Sequence, residues 1–117
     1  MRNLVVKVTA GDDAPERCMQ GLTVASVAAA SGVTVSLWLT GESVWLVTPD
    51  RDLVLPDSPP ASTLLSAVFA AGTVTVCTQC AARRGLTAEG LLAGVRVAGA
   101  ASFVAEALEP DVQALVY

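Results

Sequence analysis

The sequence contains no histidine and little charge of either sign. Without histidine it lacks the commonest general base and the commonest metal ligand, so any chemistry must use cysteine, carboxylate or arginine. Charged residues make up 15% of the chain, and 11 acidic residues outnumber 7 basic ones, which gives a net charge of −4. A chain without a basic excess lacks the main source of non-specific affinity for DNA, so nucleic acids and anionic membranes are not expected partners.

Cysteine is scarce and odd in number, since only Cys18, Cys77 and Cys80 are present. The N-terminus has an apolar run broken by Lys7 and does not have the pattern of a secretory signal. We therefore expect a cytoplasmic protein whose thiols stay reduced. One Cys-x-x-Cys pair without histidine supplies too few ligands for structural zinc, and the glycines match no phosphate-binding or dinucleotide-binding fingerprint. Neither a metal nor a cofactor is expected.

Apolar residues, in contrast, are abundant, at 53% of 117 residues. That content excludes disorder, and the length predicts a single domain over residues 1–117. Two uncharged windows, 19–41 and 61–82, are long enough to cross a bilayer. A glycine interrupts each window, with an Ala-rich sequence before it and β-branched residues after it. This pattern predicts a helix, a turn and a buried strand, and no membrane insertion.

The same alternation of helix and strand patterns runs along the whole chain. Strands are predicted at five places: 4–9, 33–37, 73–76, 95–97 and 112–117. Helices are predicted between them: from about 13, then 61–71, 88–93 and 99–108, with a short helix at 41–47 and a loop at 48–60. Five strands alternating with helices imply an α/β fold, with a mostly parallel sheet that helices cover on both faces.

Two of the predicted helices have a recognisable buried face. We expect the Asp13 side chain to cap the first helix, and the Glu16 side chain, three residues on, to complete a capping box. The expected buried residues of the first helix are Cys18, Leu22, Ala25 and Ala29, which makes Cys18 a core residue. Those of the last helix are Ala100, Phe103, Val104 and Ala107.

The segment 76–85, Val-Cys-Thr-Gln-Cys-Ala-Ala-Arg-Arg-Gly, carries the strongest indication of chemistry. Ligands of open parallel sheets gather at the carboxyl ends of the strands, and Cys77 falls at the end of the third strand. Arg83 and Arg84 follow closely, and a guanidinium near a thiol favours the nucleophilic thiolate. The alternatives are that Cys77 is a small buried hydrophobe, or that it forms a redox pair with Cys80.

Trp38 and Trp45 flank the turn at Gly41. Tryptophans so close together belong either to the core or to an apolar patch that meets a second subunit. A small domain with so few charges has more apolar surface than one core hides, so we expect a homo-oligomer with this region as the contact.

Four stretches of the sequence together resemble the DsrE/DsrF-like sulfur-relay family, which includes TusD-type and YchN-type proteins. They are Thr-Ala-Gly-Asp-Asp-Ala-Pro-Glu-Arg at 9–17, Leu-Thr-Gly-Glu-Ser-Val-Trp at 39–45, the Cys77-x-x-Cys80-x-x-x-Arg84-Gly-Leu-Thr motif, and Gly-Val-Arg-Val-Ala-Gly-Ala-Ala-Ser-Phe at 94–103. The resemblance covers nearly the whole chain, and the cysteine motif followed by Arg-Gly is its most specific part.

This resemblance implies a three-layer α/β/α fold, assembly into trimers or hexamers, and a cysteine that carries sulfur as a persulfide. Cys77 matches the sulfur-carrying cysteine and Cys80 the second cysteine of the YchN-type pattern. The expected function is that of a sulfur carrier or sulfurtransferase, with sulfur donor and acceptor proteins as partners. A non-catalytic oligomeric or small-ligand-binding module, and a dithiol redox protein using Cys77 and Cys80, stay open as alternatives.

Overall fold

A computed structural model describes residues 2–117. The five strands are β1 (Asn3–Val8), β2 (Thr34–Leu39), β3 (Thr73–Cys77), β4 (Arg96–Ala98) and β5 (Val112–Val116). The four α-helices are α1 (Pro15–Ala30), α2 (Ala61–Ala71), α3 (Thr78–Arg83) and α4 (Ala100–Ala107), with short 3-10 helices at Gly41–Val47 and Ala88–Gly90. All five predicted strands are present, and the predicted helix at 61–71 has the same bounds in the structure.

The strands form one sheet in the order β4-β3-β2-β1-β5, and every pair is parallel. The fold is therefore α/β, as the alternation of patterns predicts. Across the sheet Lys7 pairs with Trp38, and Trp38 pairs with Thr75. Cys77, at the end of β3, pairs with Ala98 of β4.

The first face of the sheet, which α1 and α2 cover, is apolar. Its side chains on the three central strands are Val6, Val8, Val35, Leu37, Leu39, Val74 and Val76, all buried. The expected buried residues of α1 (Cys18, Leu22, Ala25 and Ala29) are all buried against it. Since a fully buried aliphatic side chain contributes roughly 1.5–3 kcal/mol, this layer holds most of the hydrophobic stabilisation.

The second face carries the alternate side chains of the same strands and is much more polar. They are Val5, Lys7, Ser36, Trp38, Thr75 and Cys77. Among the helices of residues 2–117, α4 packs on this face: the Phe103 ring packs edge-on against Trp38, with 5.5 Å between the centroids. Glu106 of α4 accepts hydrogen bonds from Ser36 Oγ (2.5 Å) and Trp38 Nε1 (3.2 Å).

The predicted apolar face of α4 was partly wrong. Ala100 and Val104 are exposed, whereas Phe103 and Glu106 point to the sheet. The reason is that Glu106 finds three donors on the sheet surface, because Arg96 also donates to its carboxylate. Helical spacing alone could not reveal an ion pair with a residue of another element.

An apolar surface is left exposed around α4 and the edge strand β5. We call it the α4–β5 patch, and its members are Val104, Leu108 and Val116, which are between 51% and 78% exposed. Trp38, in contrast, is 1% exposed and packs inside its own chain. Of the two alternatives for the tryptophans, Trp38 therefore belongs to the core, whereas Trp45 is half-buried with the Arg51 guanidinium 4.4 Å from its ring centroid.

The start of α1 also differs from the prediction. Ala14 occupies the N-cap position, and no side chain caps the helix. The Asp13 carboxylate instead accepts a hydrogen bond from the Gly11 N–H at 2.8 Å. Asp13 thus closes the turn before the helix, while Pro15 begins the helix as expected.

The loop at 48–60 has no helix or strand, as predicted. Asp52 within it accepts hydrogen bonds from the Ser62 N–H (2.9 Å) and hydroxyl (2.7 Å), so the loop is tied to the start of α2. Within residues 2–117, no helix has the length and apolar character needed to cross a membrane.

Candidate functional site

Cys77 lies where β3 ends and α3 begins. It is the last residue of the strand and the N-cap of the helix, and its side chain is half-buried. Sequence patterns predicted Cys77 at the end of the third strand, as observed, but did not predict α3 (Thr78–Arg83). Since the helix starts directly after Cys77, the N–H groups of its first turn are directed towards the sulfur.

The pKa of Cys77 lies below its ordinary value. Partial burial acts against this because it raises the pKa of a thiol. The backbone N–H and the thiol of Cys80, the backbone N–H of Gln79 and the charge of Lys7 outweigh burial and lower the pKa.

Cys80 lies one turn along α3, half-buried, with its thiol directed to the Cys77 sulfur. All three cysteines are free thiols in this structure. A thiol donor next to a thiolate stabilises the anion, and two sulfurs this close on one helical turn are arranged for exchange with each other.

Arg84 is engaged away from the Cys77 sulfur. Its Nε donates to the Glu42 carboxylate at 2.7 Å, and its Nη1 donates to the Cys80 carbonyl at 3.1 Å. Arg83 is exposed on the same helix. This differs from the expectation that one of the two arginines supplies charge to the thiolate. Arg84 instead fastens α3 to the segment that follows β2.

The cation that acts on Cys77 is Lys7, which sequence reasoning missed. Lys7 is the only charged residue of β1, in the stretch Asn-Leu-Val-Val-Lys-Val. A lone lysine in an otherwise apolar central strand is unusual, and this was the available signal. It was overlooked because its nearness to Cys77 depends on the strand order, which places only β2 between β1 and β3.

The segments that follow β1, β2 and β3 meet at the carboxyl end of the sheet. A Cβ on Gly11 would lie 2.6 Å from the Glu42 carbonyl oxygen, and one on Gly41 would lie 2.6 Å from the Thr9 carbonyl oxygen. Gly41 also has a φ of 58°, which favours glycine. This close backbone contact fixes Glu42, and Glu42 in turn holds Arg84 and α3.

The Cys77 site lies at the end of β3, and both of its cysteines are half-buried. A separate groove of about 550 Å³ lies between α1 and the loop at 48–60, and contains none of the predicted site residues. In the part of the chain that the structure describes, no group of three or more cysteine and acidic side chains could hold a metal ion. The reactive group that the Cys77 site offers is the Cys77 thiolate.

Cys18 has the opposite environment. It is fully buried in α1, and burial, with smaller effects of Asp13 and Asp12, raises its pKa to about 12. A thiol of that pKa is not ionised at neutral pH and acts as a small apolar side chain.

Comparisons with solved structures show the same fold elsewhere. The ychN protein from E. coli is 18% identical, covers all of both chains and superimposes with a TM-score of 0.83. The protein MTH1491 from Methanobacterium thermoautotrophicum, described as of unknown function, is 13% identical over all of both chains, with a TM-score of 0.78. BT1422 from Bacteroides thetaiotaomicron, also described as of unknown function, is 19% identical over 98% of this chain and 94% of its own, with a TM-score of 0.67.

A search of curated proteins found no match to this chain. The sequence profile of the DsrE/DsrF-like family, however, matches residues 2–112. That match includes β1 to β4 with the segments that follow them, and both cysteines of the site. The chain belongs to the DsrE/DsrF-like family.

Proposed function

We propose that this chain is a sulfur carrier or sulfurtransferase that holds sulfane sulfur as a persulfide on Cys77. The observation that carries the proposal is the half-buried Cys77 thiol at the end of β3, whose pKa is held down by the N–H groups of Gln79 and Cys80. A thiolate is the nucleophile that attacks a donor sulfur, and attack is fastest when the thiol pKa is near the ambient pH. Membership of the family, which is known for sulfur relay, supports the same chemistry.

Cys80 is assigned the release step. Its thiol attacks Cys77 Sγ, the inner sulfur of the persulfide, forming a Cys77–Cys80 disulfide and expelling the outer sulfur as hydrosulfide. This step needs no outside oxidant, because the sulfane sulfur accepts the electron pair. The direction of the Cys80 thiol towards the Cys77 sulfur supports this role.

The test is intact-mass measurement after incubation with cysteine and a cysteine desulfurase as sulfur donor. We expect the wild-type chain to gain the mass of one sulfur atom and Cys77→Ser to gain none. Cys80→Ser should retain the added sulfur for longer than the wild type. Cys18→Ser is the matched control and should load like the wild type, since Cys18 is fully buried. Equal loading of Cys77→Ser and wild type would refute the proposal.

A dithiol redox function is the second candidate, and the same Cys80-to-Cys77 contact favours it. It differs in its product, because a redox protein cycles a disulfide and accumulates no added sulfur. Equilibration with glutathione buffers separates the two functions. A reversible two-electron transition without sulfur loading would favour the redox function, and loading without such a transition would favour the carrier.

We also propose a homo-oligomer, a trimer or hexamer, in the cytoplasm, with sulfur donor and acceptor proteins as partners. The α4–β5 patch supports self-association, because contiguous exposed apolar side chains mark contact surfaces. The three free thiols are consistent with a reducing compartment.

A further inference from the structure

Lys7 occupies a position on the second face from which its charge reaches Cys77. Lys7 is in register with Trp38, and Trp38 with Thr75, while Cys77 lies two residues beyond Thr75 on the same face. Two strand spacings and a two-residue step separate the Cα atoms of Lys7 and Cys77 by about 12 Å. Both side chains leave the same face of the sheet, and at this separation the Lys7 charge lowers the pKa of Cys77.

The Lys7 ammonium is held by an aromatic ring. It lies 4.4 Å from the centroid of the Phe103 ring. Phe103 is itself fixed against Trp38, whose indole N–H is bonded to Glu106. A cation over a ring face is attracted by the ring without losing its charge, so this contact positions the ammonium and leaves its charge intact.

Lys7 also differs from the nearby arginines in having no acidic partner. Arg84 pairs with Glu42, and Arg96 pairs with Glu106. Within residues 2–117, no carboxylate lies within 4.0 Å of the Lys7 ammonium. Lys7 is therefore the half-buried cation on this face whose charge is available to an anion.

We propose that Lys7 is the positioning cation of the Cys77 site, stabilising both the thiolate and the persulfide anion that replaces it. The part of this inference that concerns the persulfide rests on the proposed function. A cation suited to one anion suits the other, because each carries a single negative charge. The persulfide charge lies one S–S bond, about 2.05 Å, further from the fixed N–H groups of α3, and the flexible lysine side chain is able to follow it.

The transfer balances without an outside oxidant. The Cys77 thiolate uses its electron pair to form a bond to the outer sulfur of a donor persulfide, R–S–SH. The donor S–S bond breaks, and its electron pair leaves on the donor sulfur. The proton on the transferred sulfur passes to that departing thiolate, so Cys77–S⁻ and R–S–SH become Cys77–S–S⁻ and R–SH. The Cys77 sulfur is oxidised and the donor sulfur is reduced.

The test follows iodoacetamide alkylation of Cys77 against pH by peptide mass mapping, in full-length protein. In Lys7→Gln we expect the alkylation midpoint to rise, slowing alkylation at pH 7 about threefold to tenfold. Lys7→Arg should restore the wild-type midpoint, which a merely structural role would not require. Arg83→Gln is the matched control, because it removes one exposed positive charge from α3 and should leave the midpoint almost unchanged.

Lys7→Met provides a second charge-free variant of similar length, should Lys7→Gln fail to fold by circular dichroism. If the alkylation midpoint of the folded charge-free variant equals that of Arg83→Gln, the inference is wrong. Because alkylation needs no sulfur donor, this readout is independent of the proposed function. Failure of the wild type to load sulfur would remove the carrier function alone, whereas normal loading with an unshifted midpoint in Lys7→Gln would remove the role of Lys7 alone.

Discussion

The two faces of the same five-stranded sheet are built from different chemistry. Two helices seal the first face, and its side chains on the central strands are aliphatic and buried. One eight-residue helix covers the second face, which contains an ammonium, a buried indole, a carboxylate with three donors and the Cys77 thiol. Neighbouring residues of one strand thus enter unlike environments, because successive side chains alternate between faces.

The difference separates stability from reactivity. The first face supplies the hydrophobic burial that holds the fold together, and it needs no polar partner. The second face has its charges placed by specific hydrogen bonds and by one cation–π contact. Substitutions on the first face should therefore change the free energy of unfolding, and those on the second face should change the site or the assembly.

The largest contrast should be in the reactivity of the two cysteines. Burial raises the pKa of Cys18 to about 12, whereas the pKa of Cys77 is held below its ordinary value, so the thiolate is far more abundant at Cys77 near pH 7. We expect iodoacetamide to label Cys77 roughly tenfold or more faster than the fully buried Cys18, measured by peptide mass mapping. In denaturant the two rates should converge, and comparable rates in the native state would contradict the contrast.

A pair of adjacent substitutions in β2 compares the faces directly. Leu37→Ala opens a cavity on the first face and should cost about 2–5 kcal/mol of unfolding free energy. Ser36→Ala removes one hydrogen bond to Glu106 on the second face and should cost about 1 kcal/mol. Urea unfolding of both variants measures this, and equal losses would mean that the second face contributes as much to stability as the first.

Glu106 makes the stability contribution of the second face depend on pH. Burial raises its pKa, but the hydrogen bonds from Ser36, Arg96 and Trp38 outweigh burial and hold the pKa below its ordinary 4.5. A folded-state pKa below the unfolded value stabilises the fold above pH 4.5, and this stabilisation is lost as the pH falls through the folded-state pKa. Relative to wild type, Glu106→Gln should lose about 1–2 kcal/mol at pH 7 and progressively less below pH 4.5, by urea unfolding at each pH. A difference that is independent of pH would exclude this role.

The smallest effect on folding, with a clear effect on assembly, is expected at the outer surfaces. Val104 of α4 and Val27 of α1 are 51% and 60% exposed, on opposite sides of the sheet. Either change to Glu should alter unfolding free energy by only about 0.5 kcal/mol. Val104→Glu should dissociate the oligomer in sedimentation velocity, and Val27→Glu should not. A monomeric wild type, or dissociation by Val27→Glu alone, would exclude the α4–β5 patch as the contact.

Much of the fold was predictable because local patterns determine it. The glycines at 32 and 72 separate Ala-rich helices from β-branched strands, and the structure has α1 and β2 around the first and α2 and β3 around the second. The position of Cys77 at the end of β3 followed from the same reasoning. Asp13 was assigned to the wrong hydrogen bond because its carboxylate accepts from the Gly11 N–H, two residues back, and not from an N–H of the first turn of α1.

The parts of the site that sequence reasoning missed depend on contacts between distant segments. Arg84 is near Cys77 in sequence but is held by Glu42, and Lys7 is far away in sequence but acts on Cys77. The order of the strands determines both relations. The pairing of Glu106 with Arg96 is of the same kind, since a single helical pattern does not contain the strand residue that attracts the carboxylate.

The backbone contact between the turns after β1 and β2 has a consequence for genetics. A methyl group at Gly11 would meet the Glu42 carbonyl oxygen at 2.6 Å and push away the residue that anchors α3. In a mutational scan, Gly11→Ala should therefore score with the cysteine variants, although Gly11 is neither reactive nor close to Cys77 in the sequence. Substitutions along this chain of contacts, from Gly11 through Glu42 and Arg84 to α3, should therefore give similar phenotypes, although the residues are far apart in the sequence.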